Sequence, residues 1–532
     1  MIVYNLMKKA CLIAGLSLPL FTYAQKADKP KENWQNLDLK ADGVFGISTE
    51  RAYNELLKNK KHVPVLVGVI DGGVDINHED LKQVLWTNPG EIAGNKTDDD
   101  KNGFADDVHG WCFIGSPAKG NIQYDNMELV RLLRQQKDKY ENLDSTAVKP
   151  EDADGYKNYR AMKKEVEVQT TKYQKRLAFI NRFSELLYGI MGQMKKDNPT
   201  AQDFKDFTAD SDAEAYIRKT MIDALGEMDY ATFKKDEITG PAQRAGEQLN
   251  YHLNFNFDPR DTVGDNYANS SEHFYGNSDV TGPHNEHGTH VAGIIAAARD
   301  NNIGIKGVAN DARIMVVQVV PTGDERDKDV ANGIRYAVEN GAKVINMSFG
   351  KTYPADKKAV DDAVKFAMSK DVLIVHAAGN ENSNRDKAIR YPNRNYADNS
   401  GSAANWIEVG ASSYIDDETL KAPFSCYGKE TVDVFAPGVK INSCAPGSGY
   451  IAYDGTSMAS PVVTGLAVLI RSYYPKLSAA QVKEIIMKSV TPVKHQIKMR
   501  DGSKEVKVPF SDLCKSGGIV NAYNALKLAE TY

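Results

Sequence analysis

The chain has 532 residues, 42 % of them apolar and 26 % charged, with a formal net charge of −5. That balance belongs to a soluble globular protein, with room for several domains or for one large domain with additions. The mild acidity argues against the basic surface that nucleic acid or an anionic membrane would select, so neither is expected as a partner.

Lys8-Lys9 stand before an apolar run, residues 10–23, that closes on Thr22-Tyr23-Ala24-Gln25. A basic start, a short apolar stretch and a small residue at its end predict a signal peptide over residues 1–24. The run is too short to cross a bilayer comfortably. The chain is therefore expected to be exported, periplasmic or secreted, with no stable membrane span once the signal is removed. Cys112, Cys426, Cys444 and Cys514 remain, and four cysteines allow three pairings; free buried thiols are the alternative. Residues 25–36 read as polar and loose. Residues 44–59 predict an amphipathic helix with Ala52, Leu56 and Leu57 on one side.

Residues 63–70 are a near-continuous, valine-rich apolar run, as expected of a parallel strand covered on both faces. Asp71 follows at its C-terminal end, the edge at which open α/β sheets bind ligands. Asp75, four residues on, suits the fixing of a turn. Further along, Asp98-Asp99-Asp100-Lys101-Asn102-Gly103 fits the first half of a calcium loop, with Asp98, Asp100 and Asn102 as ligands. The Glu that should end the loop is missing, and His109 stands there. The loop reads either as a structural Ca²⁺ site or as a solvated acidic turn.

Residues 117–257 are charged, glycine-poor and helical in pattern. Tyr173, Leu177, Ile180, Leu187, Met191 and Met194 recur at steps of three, four and seven. Leu129, Leu132, Tyr140 and Leu143 suggest a partner helix, and Gly155 and Pro199 bracket the long one. This predicts an inserted helical hairpin or small bundle, which costs little if its ends stay close together.

His287-Gly288-Thr289-His290 then opens a helix predicted over 287–298. With His284, the two histidines also raise a metallohydrolase reading, although the HExxH pattern is absent. Strands at 313–320, 343–347, 372–377, 406–412 and 431–435 alternate with helices at 327–340, 355–370 and 477–490. That rhythm predicts a parallel sheet with right-handed crossovers. Gly455-Thr456-Ser457-Met458-Ala459-Ser460-Pro461 leads into one more apolar helix. Ser457 sits at its N-terminus, among unpaired N–H groups and the positive end of the helix dipole. That setting suits a nucleophile leaving an oxyanion nearby, and it also suits an ordinary helix cap.

Taken together, the strand ending in Asp71, the helix opened by His287 and the helix opened by Ser457 resemble the subtilisin family of serine peptidases. Ala377-Ala378-Gly379-Asn380-Glu381 matches that family's oxyanion segment. The resemblance covers residues 45–115 and 270–490. It implies a three-layer α/β fold with a mostly parallel central sheet and an inserted α-helical subdomain. The peptidase domain would be split between 25–116 and 258–532. It further implies a serine endopeptidase working through an acyl-enzyme on polypeptide substrates, with no cofactor required for chemistry. Ser457 would be the nucleophile, His287 the general base and then acid, Asp71 the orienting acid and Asn380 the oxyanion donor. Ser348-Phe349-Gly350 resembles the segment that pairs with bound peptide, with Ala378 and Gly379 beside it. Arg390-Tyr391-Pro392 resembles the base of the S1 pocket, where Arg390 would meet an acidic P1 side chain or else point to solvent or a nearby carboxylate. Residues 25–62 are too few for the folded prodomain that many relatives carry. The rival on the same fold is a catalytically idle protein that binds peptides in the cleft.

Overall fold

Valine-rich strands form the centre of the molecule because each is covered on both faces. The computed structural model describes residues 29–502 and 504–532; the signal-peptide expectation lies outside the described residues. The chain divides into two units, Met1–Glu32 and Asn33–Tyr532, and the second carries all that follows.

The main strands are β1 (Val65–Asp71), β2 (Gly110–Cys112), β3 (Ala312–Gln318), β4 (Val344–Met347), β5 (Leu373–Ala377), β6 (Trp406–Ser412) and β7 (Val434–Pro437). With two short strands, Thr491–Pro492 and Gly518–Ile519, they form a nine-stranded sheet. From its outer end it runs Thr491–Pro492, Gly518–Ile519, β7, β6, β5, β4, β1, β3, β2. Every pairing is parallel except that between the two short strands. Register places the site. Ile70 lies opposite Met347, and Met347 opposite His376. Asp71, Ser348 and Ala377 therefore leave the sheet side by side at one edge.

Two apolar layers cover the sheet. One contains α4 (Asn285–Ala296) and α7 (Thr456–Tyr473), packed on Val67, Val69, Val316, Val344 and Val375. The other contains α5 (Asp327–Glu339) and α6 (Lys357–Ser369), packed on Ile70, Val317, Ile345 and Ile374. Helix α7 is apolar all round and buried almost throughout, as a helix crossing the middle of a large core must be. Each fully buried Val, Leu or Ile contributes about 1.5–3 kcal/mol.

The insertion is helical. α1 (Glu128–Tyr140) packs on the start of α2 (Ala153–Met194), a helix of 42 residues. The far end of α2 joins α3 (Asp212–Leu225) around Ile180, Leu187, Ile190, Phe204, Ile217 and Met221. Gly155 lies inside the first turn of α2 and does not bound it. A Cβ there would stand 2.3 Å from the Tyr140 hydroxyl, so glycine lets α1 and α2 meet.

Several expectations need correction. Trp34, Gln35 and Asn36 form a buried turn, not a loose segment, with the Trp34 ring 5.6 Å from that of Tyr414. The helix expected over 44–59 begins only at Thr49 and ends at Leu57. Ser48 stands ahead of it in the left-handed region at φ 61°, and Val44, Phe45 and Ile47 are buried in irregular chain. Of the two readings left open for the cysteines, the free thiols hold: all four described ones are buried without a disulfide.

Candidate active site

Asp71 closes β1 with 2 % of its surface exposed. Its Oδ1 accepts the Gly72 N–H at 2.7 Å, and its backbone carbonyl accepts Val319 N–H at 2.9 Å. Nδ1 of His287 lies 2.8 Å from Oδ1 and 3.0 Å from Oδ2. An ionised carboxylate only accepts, so Nδ1 carries the proton and Nε2 is left as a base. Burial alone would lower the imidazole's pKa, but the charge and hydrogen bond of Asp71, with Glu286 behind, raise it above the ordinary value. The side chain keeps 41 % exposure at the rim. The approach depends on Gly288, because a Cβ there would lie 2.1 Å from the Gly73 carbonyl oxygen.

Ser457 is the second residue of α7. Its hydroxyl donates to the Ser348 carbonyl at 3.0 Å, and the Ser348 hydroxyl donates back to the Ser457 carbonyl at 3.0 Å. The second bond has a local cause. Pro461 has no N–H, so the carbonyl four residues before it lacks its helical partner. Asn346 on β4 extends the lock, donating to Ser348 Oγ at 3.0 Å and accepting from Ser460 and Thr464 at 3.0 and 2.8 Å. Ser348 and Phe349 line a cavity of about 650 Å³ together with Asp71, His284, His287 and Thr322. The carboxylate and the imidazole thus line one rim, and the alcohol is hydrogen-bonded to Ser348 on it.

Asn380 follows the Ala377-Ala378-Gly379 turn and is exposed. Its Oδ1 accepts from Thr456 N–H at 2.9 Å and Thr456 Oγ1 at 3.0 Å, while Gly379 N–H donates to Thr456 Oγ1 at 3.1 Å. With its oxygen engaged, the amide presents Nδ2 toward the Gly455–Ser457 turn, 3.7 Å from where a Gly455 Cβ would stand. Thr456 and Asn346 received no role from the sequence. The signal for Thr456 was its place immediately before the serine.

Arg390 already has partners. Its guanidinium pairs with Glu381 and donates to the Gly350 carbonyl. The nearby carboxylate is one of the partners expected for it. Ala378 is buried beneath this corner, and Gly350 and Arg390 meet at its edge.

The other histidines are occupied separately. His284 meets Thr322 Oγ1 at 2.9 Å. His290 Nε2 reaches the carbonyls of Ile441 and Ile451 at 3.1 and 3.0 Å, and burial pushes its pKa down to about 4. Asp75 accepts N–H groups from Asn77 and Gly447 at 3.0 and 2.8 Å and so fixes a loop. Among the described residues the metal-like grouping is elsewhere: Glu91, Asp100 and Asp107 have ligand atoms within 4.8 Å of one another. Asp100 belongs to the expected loop. Asp98 instead serves the turn, accepting Asn102 and Gly103 N–H groups at 3.0 and 2.8 Å. Asn102 places its amide 3.1 Å from Asp107 as a donor. Glu91 was missed because it lies outside the loop pattern.

The fold and this rim define an α/β protein with an acid–imidazole–alcohol edge, and comparison with known proteins gives it a family. The subtilase family model, peptidase S8, matches residues 64–503, and the chain belongs to that family. It is 41 % identical to subtilisin NAT of Bacillus subtilis subsp. natto over 207 residues, 38 % of this chain and 50 % of that protein. It is 39 % identical to subtilisin DY of Bacillus licheniformis over 209 residues, 39 % of this chain and 71 % of that protein. The matched part thus spans half the length of subtilisin NAT. A solved protease structure from Pseudoalteromonas arctica is 28 % identical at a TM-score of 0.37, covering 46 % of this chain and 70 % of that one.

Proposed function

We propose that the protein is an exported serine endopeptidase that cleaves polypeptides through an acyl-enzyme. The observation that carries this reading is the hold of both Asp71 oxygens on His287 Nδ1 beside the cavity that Ser348 lines, with the Ser457 hydroxyl hydrogen-bonded to Ser348. An extended peptide pairing with Ser348–Gly350 competes for the Ser348 carbonyl and releases the Ser457 hydroxyl. A rotation about χ1 then brings Oγ toward His287 Nε2. The imidazole takes the proton as Oγ attacks the scissile carbonyl, and Asp71 stabilises the imidazolium. Asn380 Nδ2 and the Ser457 N–H donate to the developing oxyanion. The imidazolium returns its proton to the leaving amine, and water repeats the cycle on the ester. Export rests on Lys8-Lys9 and the apolar run behind them. The acidic cluster of Glu91, Asp100 and Asp107 suits a hard cation such as Ca²⁺, which would supply stability and take no part in the chemistry.

A fluorophosphonate probe tests the proposal. The native chain should label at Ser457, and Ser457→Ala should abolish both labelling and peptide hydrolysis. A protein that binds peptide without labelling would be the idle peptide-binding protein instead. Hydrolysis that persists in Ser457→Ala and stops with a chelator would favour the metallohydrolase.

A further inference from the structure

Two stretches of the cavity wall, Val320–Thr322 and Ser348-Phe349, are each tied to the insertion. The Val320–Thr322 wall meets residues 123–125 edge to edge. Thr322 N–H donates to the Gln123 carbonyl at 2.9 Å, and Asp125 N–H donates to the Thr322 carbonyl at 2.9 Å. The Ser348–Gly350 wall continues into Lys351, whose ammonium is buried, not solvated. That ammonium lies 2.8 Å from Glu128 at the start of α1, 2.6 Å from Asp327 and 2.7 Å from the Glu325 carbonyl. Arg131, one turn along α1, grips Glu128 at 2.6 Å and donates to the Asp324 and Glu325 carbonyls at 3.0 and 3.1 Å. The loop that follows the first wall, the residue that follows the second, and the first turn of α1 thus form one buried ionic knot.

We infer that the insertion is a clamp that sets the width of the substrate cleft, and that Glu128 is a positioning residue for the peptide-pairing edge Ser348–Gly350. This rests on the peptidase reading above. A peptide pairing with Ser348–Gly350 needs that edge at hydrogen-bonding distance from the opposite wall's contacts, so a shift of the edge by a fraction of an ångström weakens several bonds together. Glu128 does not touch the reacting atoms. It acts through Lys351, one residue beyond the edge.

The test separates long substrates from short ones. In Glu128→Gln, KM for a tetrapeptide amide should rise about tenfold with kcat within about twofold, the pattern of lost substrate binding. Hydrolysis of an acylated single-residue ester and fluorophosphonate labelling should stay near native rates, and Glu128→Asp should recover part of the KM. Losing one partner of a buried pair can prevent folding, so Glu128→Gln/Lys351→Met is the second variant. It leaves Arg131 beside Asp125, and leaves Asp327 with the N–H groups of Ala355 and Asp356 at 2.7 and 2.6 Å. A KM raised for the long substrate alone, in a double variant that melts like the native chain, supports the clamp. A parallel loss on ester and peptide, or no change on either, overturns it. A native chain that does not label would overturn the peptidase reading, and the clamp with it.

Discussion

Behind the reactive rim, Val67, Val69, Val316 and Val344 have no exposed surface. Along the seam that joins the insertion to the sheet, the side chains hidden from water are charged. Asp125, Glu128, Arg131, Arg260, Arg326, Lys328, Asp329 and Lys351 are all buried. Arg326 holds Asp125 at 2.6 Å, and Arg260 holds Asp329 and Asp265 at 2.7 Å each. Apolar burial stabilises without fixing direction. Buried ion pairs gain little net stability, because desolvation offsets their attraction, but they lose much when one partner goes. The rim is thus supported by bulk and the seam by pairing. Turnover should be the first thing lost at one, and stability or cleft geometry at the other.

The strongest check of that division is Asp71→Asn. It should lower kcat by about 10⁴ by turning the imidazole to the wrong tautomer, with little change in melting. In the native chain, activity needs neutral His287. Its acid limb should therefore fall at a pH above the usual imidazole value, because Asp71 raises that pKa. The linkage runs the other way: a raised imidazole pKa contributes stability at low pH that is lost as pH rises through it. Activity and this contribution to stability should move in opposite directions across that window.

The seam is expected to fail differently. Arg260→Met leaves Asp329 and Asp265 without their guanidinium partner and should cost about 3–5 kcal/mol of stability. Chemical denaturation checks the loss, with kcat per labelled site unchanged below the transition. A large drop in kcat without destabilisation would blur the distinction between the two regions. A smaller effect lies where rim and core meet. Thr456→Val removes one of the two donors that hold Asn380 Oδ1 and leaves the backbone N–H, so the amide is held less firmly but stays present. Turnover should fall roughly tenfold, short of the 10²–10³ that losing such a donor costs in a subtilisin.

The two regions were also unequally legible. The meeting of Asp71 with His287 was readable because both sit at element ends marked locally, one by a valine run and one by His-Gly-Thr-His before an apolar helix. Strand β6 matched its predicted bounds because Trp406–Ser412 is buried along nearly its whole length. The seam gave no such mark. Glu128 and Lys351 are 223 positions apart, and a charged residue on an amphipathic helix reads as solvated whether or not a partner waits above it. Arg390 was ambiguous for the same reason: its carboxylate partner lies nine positions away in an irregular turn. Trp34 was hidden by the polar residues around it.

The acidic loop is a third case, and its effect should be the smallest. Burial pushes Asp107 up to about 6, although Tyr336, Asn88 and Asn102 all donate to it, and Asp100 adds repulsion. A carboxyl bound to its proton more tightly in the fold than in the unfolded chain favours the fold at low pH. That contribution is lost as pH rises from about 4 to about 6, and above that the ionised group is a cost. A Ca²⁺ among Glu91, Asp100 and Asp107 would remove the cost only where it exists. The melting difference between calcium and chelator should therefore be near zero at pH 4, grow to pH 6, and level off at a few degrees, the size expected when ligand binds only the folded state. Asp100→Asn, at a residue exposed enough to spare the fold, should erase the calcium increment and leave turnover intact. A difference that is flat with pH, or that survives Asp100→Asn, would make this loop a solvated turn and leave the sheet and the seam as the two structural supports of the site.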